Sequence, residues 1–556
     1  MASNRVYGID LGTTYSCIAY VDENGKPVVV PNSDNQLTTP SVVYFEGPEK
    51  IAVGEHAKEV AKLYPDRVAS GVKRFMGDPS WLFTCDGRDY RPQQISEWVL
   101  RKLVGDAESV TGDKIRDVVI TVPAYFGVNQ REATRQAGEL AGLNVLHLIP
   151  EPTAAAIAYG MENETNQVVL VYDLGGGTFD ITLIAVEGNT IRVLCTHGDD
   201  RLGGKDWDQD IVGFLAQRFC DEHGTPPETL LRDPETAQEL LSSAERLKTS
   251  LSSRDSVVTK VRFGADDLRV DLTRSKFEEL TAHRLSRTIS LTEELLETAR
   301  SKGFEKVDKL LLVGGSTYMP QVAQAVKARF PYPVQQWNPN QAVAMGAAIF
   351  GYKCFLEEKL RIKIAEQTGQ EAAVVDLGKV DAAELERAQK QVSVEQGVAL
   401  PALRGLLGKT IINVTSKSFG VVVVEASSRQ EKVNNLITVD DQVPAKVTKV
   451  YGTVEDGQDG VAIRCMQNRE RVDSETYISL ETCEELGSTE LRFERPLPAG
   501  SPVEITFQLT EDGTLRVNGR DQSTGRDVEA EYKTESIMTR EEIENSRSRS
   551  RGIQVS

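Results

Sequence analysis

The chain has 556 residues, 83 of them acidic and 64 basic, and its net charge of −19 sets it against nucleic acid and anionic membrane as partners. No apolar run is long enough for a bilayer and no basic-then-apolar leader stands at the start, so no membrane role is expected. The seven cysteines form no C-x-x-C pair and the five histidines show no ligand spacing, which reads as a reducing, cytoplasmic setting without a zinc site or disulfide framework.

The first element is an apolar strand, Val6 to Asp10, that runs through Leu11-Gly12-Thr13-Thr14-Tyr15 into a second strand ending at Val21. A polar turn, Asp22 to Gly25, leads to a third strand from Pro27 to Val30. Alternating elements follow: a strand over Val118 to Val122, a helix over Asn129 to Ala141, a strand over Val145 to Ile149, and an Ala-rich helix over Thr153 to Tyr159 stopped by Gly160. Small residues at Ala137, Gly138, Ala141 and Ala154 to Ala158 suit close helix contacts between two hinged lobes.

The opening pattern then returns. Val171-Tyr172-Asp173-Leu174-Gly175-Gly176-Gly177-Thr178-Phe179-Asp180 again joins strand to strand through Asp-Leu-Gly and Thr, with a polar turn and a third strand beyond. Neither a Walker-type loop nor a strand-to-helix G-x-G-x-x-G is present. Glycine bends between strands still suit phosphate, because backbone N–H groups without a Cβ approach oxyanions closely and Thr hydroxyls add donors. Two such bends facing each other would hold one polyphosphate, and Asp10 and Asp173 would then stand near its Mg²⁺ and the water around it. A third glycine turn, Gly314-Gly315-Ser316-Thr317-Tyr318, joins the strand Val307 to Val313 to the helix Gln321 to Phe330 and suits the nucleoside side.

Helices are expected over Phe355 to Glu366 and Ala382 to Lys390, the latter capped by Asp381 with Glu384. From Ile411 the pattern becomes all-β, with hairpin turns at Glu511-Asp512-Gly513 and Gln522-Ser523-Thr524-Gly525. The Ser-Arg run from Ser546 to Arg551 cannot bury apolar area and is expected to be disordered.

The ordered stretches "IDLGTTYSCIA", "VKRFMGD", "VPAYF", "EPTAAAIAYG", "YDLGGGTFDIT", "RLGGKDWD", "LLVGGSTYMP" and "NPNQAVAMGAA" resemble the DnaK-type 70-kilodalton heat-shock chaperones, closely over about residues 4–350. The resemblance implies an α/β actin-like ATPase domain of two lobes (ribonuclease H-like repeats) over 1–352 and a helical insertion and linker over 353–410. An all-β sandwich that binds peptide would span 411–537, and a lid start with its tail 538–556. It implies ATP/ADP and Mg²⁺ as cofactors.

Position by position, the resemblance places Gly12, Thr13, Thr14 and Tyr15, then Gly175, Gly176, Gly177 and Thr178, on the phosphates. Asp10 and Asp173 fall on the Mg²⁺ water shell. Lys73 falls by the γ-phosphate, with Glu151 and Thr178 beside the attacking water, and Asp173 is counted with these three as catalytic. Glu245, Lys248, Ser252, Gly315, Ser316 and Tyr318 fall on the adenosine side, and Pro123 and Arg131 on a relay of nucleotide state. Val421, Val424, Tyr451, Val461 and Ile463 are placed by position along a peptide groove, or alternatively in the sandwich core. The implied partners are unfolded or extended polypeptides, a J-domain cochaperone and a nucleotide exchange factor.

Thr249, Tyr318 and Asn340 depart from the family pattern on the nucleoside side, and the stretch from Lys73 to Pro123 is short. Leu403 to Lys409 is the expected linker, basic where the family's is acidic. With little of a lid after Met538, fast client exchange is expected. Two other readings remain: an actin-fold phosphotransferase acting on a small metabolite, and a nucleotide-gated holdase with negligible turnover.

Overall fold

A computed structural model describes residues 5–162, 166–474, 477–531 and 538–556. Its first sheet runs in the order Asn144–Pro150, Asp117–Val122, Tyr7–Asp10, Tyr15–Val21, Pro27–Val29, with Thr39–Pro40 beside the fourth of these. The second runs Val334–Gln336, Lys309–Val313, Gln167–Leu174, Phe179–Glu187, Thr190–Asp199, and then continues through Thr410–Val414 and Gln442–Val443. Each contains an antiparallel three-strand meander whose first strand also pairs in parallel with a later strand, Tyr7–Asp10 with Asp117–Val122 and Gln167–Leu174 with Lys309–Val313. The internal repeat in the sequence is therefore a repeat of topology.

Helices Glu151–Glu162 and Ala342–Thr368 cross between the two sheets. They touch backbone to backbone: a Cβ at Gly346 would stand 1.7 Å from the Ala154 carbonyl oxygen. The small-residue run Ala154 to Ala158 serves this approach, and all five side chains are buried. The expected helix at Phe355–Glu366 is the second half of Ala342–Thr368, and Ala382–Gln396 extends the other, with Asp381 Oδ1 accepting from the N–H groups of Ala383 and Glu384.

The insertion is not a loose connector. Leu356, Leu360, Ile364, Val392, Leu403 and Leu406 share one apolar cluster with Ala154 to Tyr159. This corrects the expected linker: Leu400–Leu407 is a helix that turns Leu403 and Leu406 into that cluster. It also moves the expected β boundary at 411, because Thr410–Val414 pairs with Thr190–Asp199 in the second lobe's sheet.

The sandwich packs a five-stranded sheet (Tyr477–Ile478, Glu431–Ile437, Phe419–Val424, Gln458–Asn468, Cys483–Leu497) on a four-stranded one (Ala445–Gly452, Pro502–Leu509, Leu515–Asp521, Asp527–Glu531). Pro502–Leu509 buries alternate residues, Val503, Ile505, Phe507 and Leu509. Among the groove candidates, Val421 and Ile463 are each 1% exposed in the sandwich core, so they do not face a peptide. Val424, Tyr451 and Val461 are half-buried.

The tail is ordered, which overturns the expected disorder. Helix Arg540–Ser550 runs through the Ser-Arg stretch, and Gln554–Val555 pairs in parallel with Lys50–Val53. Ile553 and Val555 pack against the first lobe's core, and Arg101 donates to the carbonyls of Ser550 (2.8 Å) and Ile553 (3.1 Å). The charged side chains of the helix stay in solvent, while the Ser550 carbonyl at its end and the two apolar residues beyond it dock.

Candidate functional site

The two glycine bends lie at the ends of the first strands of the two sheets, and the topology brings them face to face. A Cβ at Gly176 would stand 1.9 Å from Thr14 Oγ1, and one at Gly177 would stand 2.3 Å from Thr13 Oγ1. Only glycine permits this approach, and it puts the backbone of one lobe against the threonine side chains of the other. The second bend is closed by the Gly175 N–H on the Thr178 carbonyl (3.1 Å). Its Gly175 carbonyl accepts from Ser316 Oγ at 2.8 Å and from the Gly204 N–H at 3.0 Å, so the third glycine turn is tied to the second.

Lys73 and Glu151 form a buried ion pair beneath the bends. Lys73 comes from the short helix Val72–Phe75 and Glu151 from the start of Glu151–Glu162. Asp10, Asp173 and Asp180 complete the floor. Burial pushes Asp10 up to about 7, with the charge of Glu151 acting in the same direction and Lys73 against it. Asp173 is raised well above the carboxylate range by burial and then by Glu151, Asp180 and Asp10. Asp180 is raised to about 8 by burial and by Glu151. Negative charge is thus gathered here with one ammonium against it, which a bound cation would relieve.

The sequence reading missed several groups at the crevice. Lys58 of the first lobe bonds Glu245 of the second at 2.7 Å and the Tyr15 hydroxyl at 3.0 Å. Arg74 crosses to the Gly177 carbonyl at 2.9 Å and to Asp206 Oδ1 at 3.2 Å. No spacing signals such pairs, because each partner is an ordinary surface-type charge until the lobes close. Of the residues expected on the nucleoside side, Glu245 and Lys248 share helix Pro234–Leu251 and Ser252 caps it. Lys248 is held by Asp208 and the Gly204 carbonyl, both at 2.8 Å. Gly315 lies beside Asn340, and Tyr318 is 49% exposed.

Of the relay candidates, Pro123 and Arg131 bracket one loop. Within it the Tyr125 N–H reaches Asp180 Oδ1 (3.3 Å) and the Val128 N–H reaches Gln467 of the sandwich (3.1 Å). Burial lowers Arg131 to about 10, opposed by Asp512 and Asp180.

The residues fit a metal-bound polyphosphate. Thr14 Oγ1 is a buried hydroxyl without a partner among the described residues, aimed at Gly176. Among the described residues no group of three His, Cys, Asp or Glu side chains could hold a metal directly, which suits a cation held largely through water.

The family model for Hsp70 protein matches residues 6–82, 78–354 and 406–554. The chaperone protein DnaK of Deinococcus proteolyticus is 35% identical over 571 aligned positions, covering 97% of this chain and 80% of the relative. That of Halobacterium salinarum is 36% identical over 535, covering 94% and 74%. No helix among the described residues is long and apolar enough to cross a membrane. Doubled topology, facing bends, an attached sandwich and agreement along nearly the whole sequence have one common explanation: the chain belongs to the Hsp70 family of ATP-dependent chaperones, ATPases with an actin-like domain and a substrate-binding β-sandwich.

Proposed function

We propose that Lys73, Glu151, Asp173 and Thr178 carry ATP hydrolysis in this crevice, with Mg²⁺ held through water by Asp10 and Asp173. The observation that supports it is the meeting of the two bends above the Lys73–Glu151 pair. Gly12 to Tyr15 and Gly175 to Thr178 cradle the phosphates from opposite lobes. Glu245, Lys248, Ser252, Gly315, Ser316 and Tyr318 hold the adenosine. When bound, Mg²⁺ neutralises charge on the β- and γ-phosphates.

Glu151 fixes the Lys73 ammonium, which stabilises charge on the transferred phosphoryl group. Thr178 orients the water. The water oxygen bonds to the γ-phosphorus as the bond to the ADP oxygen breaks, and the Asp173 carboxylate takes the water's proton.

The nucleotide state then sets the grip of the sandwich on extended apolar segments of unfolded polypeptides. Val424, Tyr451 and Val461 contribute to the groove, and Pro123 and Arg131 relay the state. We assign the ATPase unit to 1–352, the helical insertion to 353–410 with Thr410–Val414 as the connecting strand, and the sandwich to the residues up to 537. A J-domain cochaperone and an exchange factor are the partners expected on the ATPase lobes, and the cytoplasm the expected compartment. A metabolite phosphotransferase would leave the sandwich without a task.

Single-turnover hydrolysis with Lys73→Ala tests the assignment. Turnover should fall by about 100-fold or more while nucleotide affinity is largely kept. Hydrolysis at the parent rate would overturn the role of Lys73, and a phosphorylated metabolite in place of free phosphate would favour the phosphotransferase.

A further inference from the structure

Among the described residues, the cations around the crevice are committed to partners, with one exception. Lys58 holds Glu245, Lys73 holds Glu151, Arg74 holds Asp206, and Lys248 holds Asp208. The Lys205 ammonium has no hydrogen bond or ion pair among the described residues. Its backbone is nevertheless fixed on the second bend: the Lys205 N–H donates to the Gly176 carbonyl at 2.9 Å. Its side chain reaches across to the first lobe and lies on Gly71, two residues before Lys73. Gly71 is left-handed (φ +69°), and a Cβ there would stand 2.3 Å from Lys205 Nζ. Glycine at this point leaves the lane open for the ammonium.

Two independent features therefore converge. One is an unpaired ammonium anchored to the bend that faces Thr14. The other is the unpartnered Thr14 hydroxyl on the opposite bend. An anion held between the two bends would partner both. We propose that Lys205 is a second phosphate-binding ammonium, supplied by the second lobe, that contacts the terminal phosphate of a nucleoside triphosphate opposite Lys73 and so favours triphosphate over diphosphate. The proposal rests on the crevice being the ATP site.

Enclosure pushes Lys205 down to about 8, with the charges of Arg74 and Lys248 acting in the same direction and Glu245 and Asp208 against them. A phosphate that pairs with the ammonium draws a proton onto it above that pH. ATP affinity should therefore fall as pH rises beyond about 8, by up to about tenfold per pH unit. Asp10 and Asp180 titrate nearby, so the comparison that isolates Lys205 is the difference between the parent and Lys205→Arg, whose guanidinium keeps its charge.

The experiment measures ATP and ADP affinity by calorimetry from pH 6.5 to 9.5 for the full chain, Lys205→Met and Lys205→Arg. Lys205→Met is expected to weaken ATP about tenfold or more, to leave ADP nearly unchanged, and to lose the alkaline fall. Lys205→Arg is expected to restore ATP affinity without that fall. Parent, Met and Arg profiles that superimpose, or equal losses for ATP and ADP in Lys205→Met, overturn the proposal. Should Lys205→Met fail to fold, the parent and Arg profiles decide alone. A parent chain that binds neither nucleotide refutes the ATP site itself, a result distinct from failure of Lys205.

Discussion

Asp512→Asn is the sharpest probe of how the sandwich is held on the ATPase lobes. Asp512 lies in the hairpin turn between Pro502–Leu509 and Leu515–Asp521. It accepts from Arg135 at 3.1 Å, and from His147 and the Leu148 N–H at 3.3 Å each. Asparagine keeps one acceptor for the Leu148 amide and removes the charge that faces Arg135 and His147. The side chains of Arg135, Asp512 and His147 are 20%, 23% and 32% exposed, between the surface and buried cases. Exposed pairs contribute about 0–1 kcal/mol, and removing one partner of a buried pair costs about 3–5 kcal/mol. An intermediate loss of about 1.5–2.5 kcal/mol follows, or about tenfold to seventyfold in the docking equilibrium. Fluorophores on the first lobe and on the sandwich would report docking as energy transfer with ATP, with exposed Asp527→Asn as control. A docked population within twofold of the parent would refute the claim that this contact holds the interface.

The same contact sets a pH window. Burial alone would lower His147, but its bonds to Asp512 and Cys354 prevail and raise it to about 10, while Asp512 is net lowered by His147 and Arg135 against its burial. His147 therefore strengthens docking fully below its ordinary value and loses that effect as pH rises toward about 10, whereas Asp512 loses its own as pH falls below the usual carboxylate range. Energy transfer should decline at both extremes, and His147→Gln should flatten the alkaline limb; an unchanged limb would remove His147 from the argument. Gly176→Ala puts a methyl group against Thr14 Oγ1 and should weaken ATP binding by about tenfold or more, measured by calorimetry, with the sandwich melting unchanged. Removing residues 551–556 takes away the Ser556 carbonyl that accepts from the Val53 N–H at 2.9 Å, so exchange of that amide should quicken by about tenfold or more; equal protection would mean the tail does not hold that edge.

The two facing glycine bends were legible because they announce themselves twice, with Asp, Leu and Gly in order and Thr close behind. The hairpin at 511–513 was legible because period two flanks a turn residue. What failed did so for physical reasons. Periodicity identifies Thr410–Val414 as a strand, yet its sheet is chosen by tertiary pairing, and it joins Thr190–Asp199 instead of the sandwich that follows it in sequence. Leu403 and Leu406 are three apart, the spacing of a helix face, but a short apolar run beside Gly408 reads equally as a connector. The Ser-Arg tail met the composition rule for disorder, which has no term for a receptive sheet edge at Lys50–Val53. Lys58 with Glu245, and Arg74 with Asp206, lie more than a hundred residues apart and exist only when the lobes close.

The crevice and the sandwich meet through one short loop, and its bonding leaves it little slack. Lys73 lies over the Phe126 ring at 6.0 Å and the Tyr125 N–H is on Asp180, so the loop's first half is tied to the carboxylate floor of the crevice. Val128 and Asn129 are tied to Gln467 and Glu484 of the sandwich, and Lys417 sits 3.6 Å over the Tyr125 ring. Arg131 donates to the Phe126 carbonyl and passes beside Gly513, next to Asp512. A displacement of the floor cannot be absorbed between Tyr125 and Val128, because both ends of that four-residue stretch are hydrogen-bonded to different domains. It must appear as strain on the Gln467 and Asp512 contacts or be resisted by them. The Gly176 and Asp512 substitutions perturb the two ends of this one element, so the crevice and docking assays together report whether it transmits.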